Sequence, residues 1–182
     1  MRAVSPDSSA RPKMVTVVGP ECTGKTDLST FLADHFLTVW VPEYARAYLN
    51  KLHHGYEAAD LTKIAHGQVR LEDEWLGEAN RLMICDTNLI VIKVWSEFKY
   101  GACDPEIIRL MKSRHYDLVL LTNIDVPWEN DPLREHPDKR EYFMNVFRQE
   151  TSDSGFPVVE ISGPREQRRA LAVEAVQKIL GK

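Results

Sequence analysis

Gly19-Pro-Glu-Cys-Thr-Gly24-Lys25-Thr26 satisfies the pattern G-x-x-x-x-G-K-[ST] at every fixed position. The glycines let the backbone curl until successive N–H groups point at phosphate oxygens, and the N-terminus of the following helix adds its dipole. Lys25 is placed to reach the β- and γ-phosphates, and the Thr26 hydroxyl to hold Mg²⁺. The stretch therefore nominates Gly19, Glu21, Cys22, Thr23, Gly24, Lys25, Thr26 and Asp27 as residues binding ATP. Cys22 reads as a small filler whose backbone N–H does the binding, since no nearby thiol is placed to resolve an oxidised form.

Outward from this loop, short apolar runs alternate with helical patterns. Met14 to Val18 is a β-branched run closed by Gly19, and reads as a buried strand. Lys25 to His35 follows as a helix with Leu28, Phe31 and Leu32 on one face, then Leu37 to Val41 as a second strand closed by Pro42. A helical stretch runs from about Glu43 to Leu52 and is broken at His53-His54-Gly55. The longest pattern, Ala58 to Asn80, puts Leu61, Ile64, Ala65, Gln68, Leu71, Trp75, Leu76 and Ala79 at helical spacing. Arg70, Glu72, Asp73 and Glu78 are assigned mostly to its other face. Leu82 to Cys85 is a third strand ending at Asp86, Leu89 to Phe98 a helix, and Asp104-Pro105 opens a short helix. Leu118 to Thr122 and Val158 to Ile161 are the last strands, and Arg165 to Leu180 is a helix stopped by Gly181. Strands alternating with helices imply βαβ units and a largely parallel sheet covered on both faces.

The chain has 182 residues, which sets one domain as the default. A net charge of -4 and 43% hydrophobic residues exclude a generally basic nucleic-acid binder and a chain disordered throughout. Three scattered cysteines form no metal or redox pair, the six histidines show no ligand spacing, and no apolar run reaches the ~20 residues of a membrane span. Residues 1–13 are read as a mobile tail without a secretory apolar segment, and residues 14–182 as the domain. These features place the chain in the cytoplasm, with a small-molecule substrate, without nucleic acid or membrane as partner, and with no statement about oligomeric state.

In open parallel sheets ligands sit beyond the carboxyl ends of the strands, so the residues there are the chemical candidates. Pro42-Glu43-Tyr44-Ala-Arg46 ends the second strand and Asp86-Thr87-Asn88 the third. Asp86 suits a carboxylate that holds Mg²⁺, and Glu43 one that orients or deprotonates a substrate hydroxyl. Arg46 either binds substrate or pairs with Glu43, and Asn88 joins the substrate set. Among the aromatics, Tyr44 and Trp75 are selected to face a flat ligand ring. The stretch from Ile124 to Lys139, extending to Arg140, is rich in Pro and charge, and Arg134 and Arg140 on it are placed to close over the nucleotide. Thr122-Asn-Ile-Asp125 is similar to the guanine-reading [NT]-K-x-D of GTPases with Asn in place of Lys, while Asp86-Thr-Asn-Leu lacks D-x-x-G.

Taken in order, Gly19 to Thr26, Pro42-Glu-Tyr-Ala-Arg-Ala-Tyr48, Ile84-Cys-Asp-Thr-Asn88 and Pro127-Trp-Glu-Asn-Asp-Pro-Leu-Arg134 resemble the ribosylnicotinamide (nicotinamide riboside) kinase domain of bacterial NAD-biosynthesis proteins, and related stand-alone P-loop ATPase/kinases. The resemblance runs from about Val15 to the C-terminus. It implies a three-layer α/β/α P-loop kinase fold with a five-stranded parallel sheet in the order 2-3-1-4-5. It further implies transfer of the ATP γ-phosphate to the 5′-hydroxyl of nicotinamide riboside, giving nicotinamide mononucleotide. In that likeness Lys25 and Thr26 serve phosphate and Mg²⁺, Asp86 is the Walker-B acid, Glu43 and Tyr44 lie at the acceptor, and Arg134 is the lid arginine. The aromatic beside the E-Y-x-R glutamate in some relatives is Pro42 here, with Trp40 displaced. Familiar members carry an adenylyltransferase domain upstream; the length here fits the kinase core alone. The alternatives left open are another nucleoside or small alcohol as acceptor, and a nucleotide-dependent regulatory ATPase or GTPase module.

Overall fold

The five apolar runs pair into one sheet, all parallel, in the order β2-β3-β1-β4-β5. The strands are β1 (Lys13–Val18), β2 (Val39–Val41), β3 (Leu82–Asp86), β4 (Leu118–Thr122) and β5 (Val158–Ile161). The helices are α1 (Lys25–Phe36), α2 (Tyr44–Leu49), α3 (Ala58–Leu76), α4 (Leu89–Tyr100), α5 (Pro105–Ser113), α6 (Arg140–Asp153) and α7 (Arg165–Ile179). The structure is a computed structural model that describes residues 11–52, 55–130 and 136–181. Most of the segment read as a terminal tail, residues 1–10, and Arg134, expected from the sequence to be a lid arginine, lie outside the described residues.

The central strands are apolar on both faces because helices cover both. Val15 and Val17 of β1 pack with Leu28 and Leu32 of α1 and Val176 of α7 on one side. Val18 meets Val94 of α4 and Phe143 and Phe147 of α6 on the other. Such a strand buries every side chain, so its sequence runs apolar without alternation. In register, Val17 stands beside Asp86 of β3 on one side and Leu120 of β4 on the other. The carboxyl ends of β1, β3 and β4 therefore share one edge, where the phosphate loop leaves β1.

Three differences from the sequence reading have physical causes. Leu37 is not in β2: it ends α1 in the left-handed region at φ 50 and is 91% exposed, while the Thr38 N–H donates back to Ala33. Residues 140–153, for which the sequence reading assigned no element, form α6, whose Phe143, Met144, Phe147 and Thr151 recur at helical spacing and are buried. Glu72, assigned to the solvent face of α3, is 0% exposed. Its position lies one turn from Gln68 on the buried stripe, and the phase of the helix overrides residue type. Among the described residues no helix is long and apolar enough to cross a membrane.

Candidate active site

The phosphate loop spans from β1 to α1 and is shaped by what lies behind it. Gly19 has φ 143, and a Cβ there would stand 2.6 Å from the Thr122 hydroxyl at the end of β4. Thr122 uses that space: its Oγ1 bonds the Val18 carbonyl at 3.0 Å and meets the Thr23 hydroxyl at 2.7 Å. Arg168 of α7 completes the support, donating from Nη1 to the Thr23 carbonyl at 2.7 Å and from Nη2 to the Asn123 carbonyl at 2.6 Å. The same guanidinium pairs with Asp125, whose other oxygen accepts from the Gly163 N–H. The carboxylate at the guanine-reader position is thus engaged within the protein.

Lys25 folds back over the loop, donating from Nζ to the carbonyls of Gly19 at 3.1 Å and Pro20 at 2.8 Å. Beside it the Thr26 hydroxyl donates to Asp86 Oδ2 at 2.6 Å. Asp86 is buried, and its Oδ1 has no hydrogen-bond partner among the described residues. A hydroxyl and a carboxylate with an open oxygen lone pair are hard donors, so these residues fit Mg²⁺. Burial pushes the Asp86 pKa above the ordinary carboxylate value, against the Thr26 hydrogen bond and the charge of Lys25.

A cavity of about 440 Å³ opens from the loop. Glu21, Cys22, Lys25, Thr26, Glu43 and Arg46 line it with polar and charged side chains, and Leu49, Tyr56, Ile64, Ile92 and Trp95 with largely apolar ones. Glu43 is positioned by the end of β2 and the start of α2. Desolvation raises its pKa; Lys25 and Arg46 oppose the rise, while Asp86 and Glu21 add to it. A cavity lined by both charged and apolar side chains suits a ligand that carries a hydroxyl and a flat ring.

The described parts of the 124–140 segment lie against the phosphate loop. The Glu129 N–H meets Cys22 Sγ at 3.0 Å, the His136 N–H meets Glu21 Oε2 at 3.4 Å, and Arg140 Nη2 donates to the Cys22 carbonyl at 3.2 Å. Arg140 Nε is buried without a partner among the described residues. The His136 ring stacks on Trp95, with centroids 5.8 Å apart.

Several nominated residues stand elsewhere. Asp27 pairs with Arg165 and Arg169 of α7, and does not line the cavity. Tyr44 packs its ring on Gly67 of α3, where a Cβ would come within 2.0 Å of Cε1. The Asn88 side chain accepts from the Ile90 N–H at 2.9 Å and caps α4. Trp75 sits at the end of α3 and is not among the cavity residues, whereas Trp95 and Tyr56 are. Trp95 stands three residues after Ile92 on one face of α4, a spacing that the sequence does display. Arg168 carried no sequence signal, because its partners come from three separate loops.

A family model described as an AAA domain matches residues 14–168. The Trifunctional NAD biosynthesis/regulator protein NadR of Escherichia coli (strain K12) is 28% identical over 177 residues, covering 93% of this chain and 43% of that protein. The chain thus spans less than half the length of the curated relatives it matches. A crystal structure of NadR protein in complex with NR superposes with a TM-score of 0.82 at 22% identity, over 94% of this chain and 52% of that one. A NadR complex with NAD and AMP-PNP gives 0.76 at 23% identity, over 94% of this chain and 50% of that one. With the sheet order and the loop geometry, these likenesses establish a P-loop NTPase fold.

Proposed function

Because this chain belongs to the AAA-domain family whose model spans residues 14–168, we propose that it is an ATP-dependent small-molecule kinase acting on a nucleoside hydroxyl, with nicotinamide riboside as acceptor. The observation that carries the proposal is one cavity lined together by Lys25 and Thr26 of the phosphate loop, by Glu43 and by apolar side chains of α2, α3 and α4. A pure nucleotide switch has no need of a second carboxylate in that cavity. The likeness to NadR, one solved form of which is a complex with NR, supports the choice of acceptor. The NadR form bound to AMP-PNP supports ATP as donor.

The loop N–H groups cradle the phosphates, and Lys25 leaves its two loop carbonyls to meet the β- and γ-oxygens. Thr26 and Asp86 would hold Mg²⁺, which would supply charge neutralisation on those phosphates. Glu43 accepts the proton of the acceptor hydroxyl as its oxygen bonds to the γ-phosphorus and the bond to the ADP oxygen breaks. Burial of Glu43 raises its basicity and so favours this proton transfer. Trp95, stacked on His136, and Tyr56, with Lys99 Nζ 3.4 Å from its ring centroid, line the cavity that takes the acceptor ring, and the 124–140 segment with Arg134 and Arg140 acts as the lid. Trp75 and Asn88 take no part in this scheme.

The test is a panel of nucleosides and small alcohols, nicotinamide riboside included, incubated with the protein and Mg²⁺-ATP and read by mass spectrometry. Nicotinamide mononucleotide is the product expected. A phosphorylated product from a different acceptor overturns the substrate, and no phosphorylated acceptor at all overturns the kinase assignment.

A further inference from the structure

Glu43 is the group whose direction matters most at the acceptor end, yet little in its own helix holds it. It precedes α2 at φ −63, ψ 111, its side chain makes no capping hydrogen bond, and α2 contributes no buried residue of its own. A six-residue helix whose Tyr44, Ala45, Tyr48 and Leu49 are only partly buried, against α3, α4 and α5, has scant means of its own to fix its first turn. The restraint comes from α3.

Two consecutive residues of α3 grip Tyr44, the neighbour of Glu43. At Gly67 the Tyr44 ring fills the space a side chain would take, with the nearest ring atom 2.0 Å from a Cβ built there. At Gln68 the buried amide oxygen Oε1 accepts the Tyr44 N–H at 2.9 Å, fixing the peptide that joins Glu43 to Tyr44. A glutamine amide has two ends of the same shape, so something must choose between them. Glu72, one turn on, does so. Being acceptor-only, it takes the amide Nε2 at 3.3 Å and leaves Oε1 for Tyr44. Glu72 is itself held by the Tyr116 hydroxyl at 3.0 Å and by Arg114 Nε at 3.1 Å. A buried ion pair adds little net stability over an apolar pair of the same volume, so orienting the amide gives this one a use.

We propose that Gly67 and Gln68 are positioning residues that aim the Glu43 carboxylate through the ring and the N–H of Tyr44, with Glu72, Arg114 and Tyr116 locking the Gln68 amide. This rests on the kinase reading of the same cavity. The phosphate loop is held from the opposite side, by Thr122 and Arg168, so acceptor chemistry and nucleotide binding respond separately.

The experiment uses the full chain, the acceptor found by the panel, and an ATP analogue for binding. Gly67→Ala and Gln68→Met are each expected to lower kcat by about tenfold to a hundredfold, the scale of a displacement near 1 Å, with the analogue Kd held within about twofold. The swap Q68E/E72Q restores an acceptor toward Tyr44 and a donor between the two side chains. It is expected to recover kcat to within about threefold of wild type, while Gln68→Glu alone stays low. A wild-type kcat in Gly67→Ala and Gln68→Met overturns the proposal, as does a fall in kcat matched by equal loss of analogue binding. Should Gly67→Ala fail to fold, Gln68→Met and the swap decide it. A wild-type protein that phosphorylates nothing overturns the kinase reading and this inference together; an active wild type with indifferent variants overturns this inference alone.

Discussion

The phosphate end and the acceptor end of the cavity are built by opposite strategies. Eight consecutive residues, Gly19 to Thr26, make the first, and their working atoms are mostly backbone N–H groups. The second is assembled from Glu43 and Arg46 by α2, Gln68 from α3, and Ile92 and Trp95 from α4. Phosphate is the same in every nucleotide, and a local loop can bind it. An acceptor varies in shape, and a chamber that fits it needs walls from several directions.

Substitution at either end can break that contrast. The largest effect belongs to Lys25→Ala, which removes the charge that the proposed mechanism brings to the transferring phosphoryl group. Turnover should fall by about 10³-fold in a steady-state assay, with far-UV circular dichroism unchanged. An active Lys25→Ala protein would remove the mechanism altogether.

Next comes Glu43→Gln, expected to lower kcat by about 10²-fold with analogue binding intact. The pKa of Glu43 is raised, so in the wild type kcat should decline on the acid side at a higher pH than an ordinary glutamate would cause. That limb should vanish in the residual activity of Glu43→Gln. The linkage to stability has the reverse sense. A carboxyl whose folded pKa exceeds its unfolded value binds more protons when folded, so stability falls as pH rises through that interval. Glu43→Gln should therefore raise Tm at neutral pH, by about 2–4 °C for each 1 kcal/mol relieved.

Smaller in its effect on activity is Glu72→Leu, which leaves the buried Tyr116 hydroxyl without its acceptor and Arg114 with Asp73 alone. It should destabilise the fold by about 3 kcal/mol in urea denaturation, and the double variant Glu72→Leu/Arg114→Met should recover most of that loss. Equal destabilisation in the two would show that the pair itself, rather than the uncompensated charge, carries the energy. The smallest effect is assigned to Trp95→Leu: KM for the acceptor rises by about tenfold and KM for ATP stays level. A rise in both would mean that Trp95 acts through His136 and the lid rather than through the acceptor wall.

Legibility followed the same division. The strand run Met14–Val18, the loop and α1 declare themselves because each is local and its period continuous. Asp86 was legible as the residue ending an apolar strand. Glu72 and Trp75 were not, since residue type gave one as solvent-facing and the other as a pocket wall, while the packing of α3 did the opposite. Tyr44 was legible as a residue beside the site, though its ring turns away to Gly67. The helix over Arg140–Asp153 went unassigned because a Pro- and charge-rich segment precedes it, although Phe143 and Phe147 mark its buried face.

The sequence by itself determined the alternation of strands and helices, the phosphate loop and the two carboxylates at strand ends, because those features depend on neighbours in the chain. Only the tertiary structure decided that Trp95 and Tyr56 wall the chamber, that Arg168 braces the loop from behind, and that Gly67 and Gln68 hold Tyr44. Those contacts join residues as far as 145 positions apart. No local pattern encodes such a meeting; it exists once the sheet has brought the carboxyl ends of its strands to one edge.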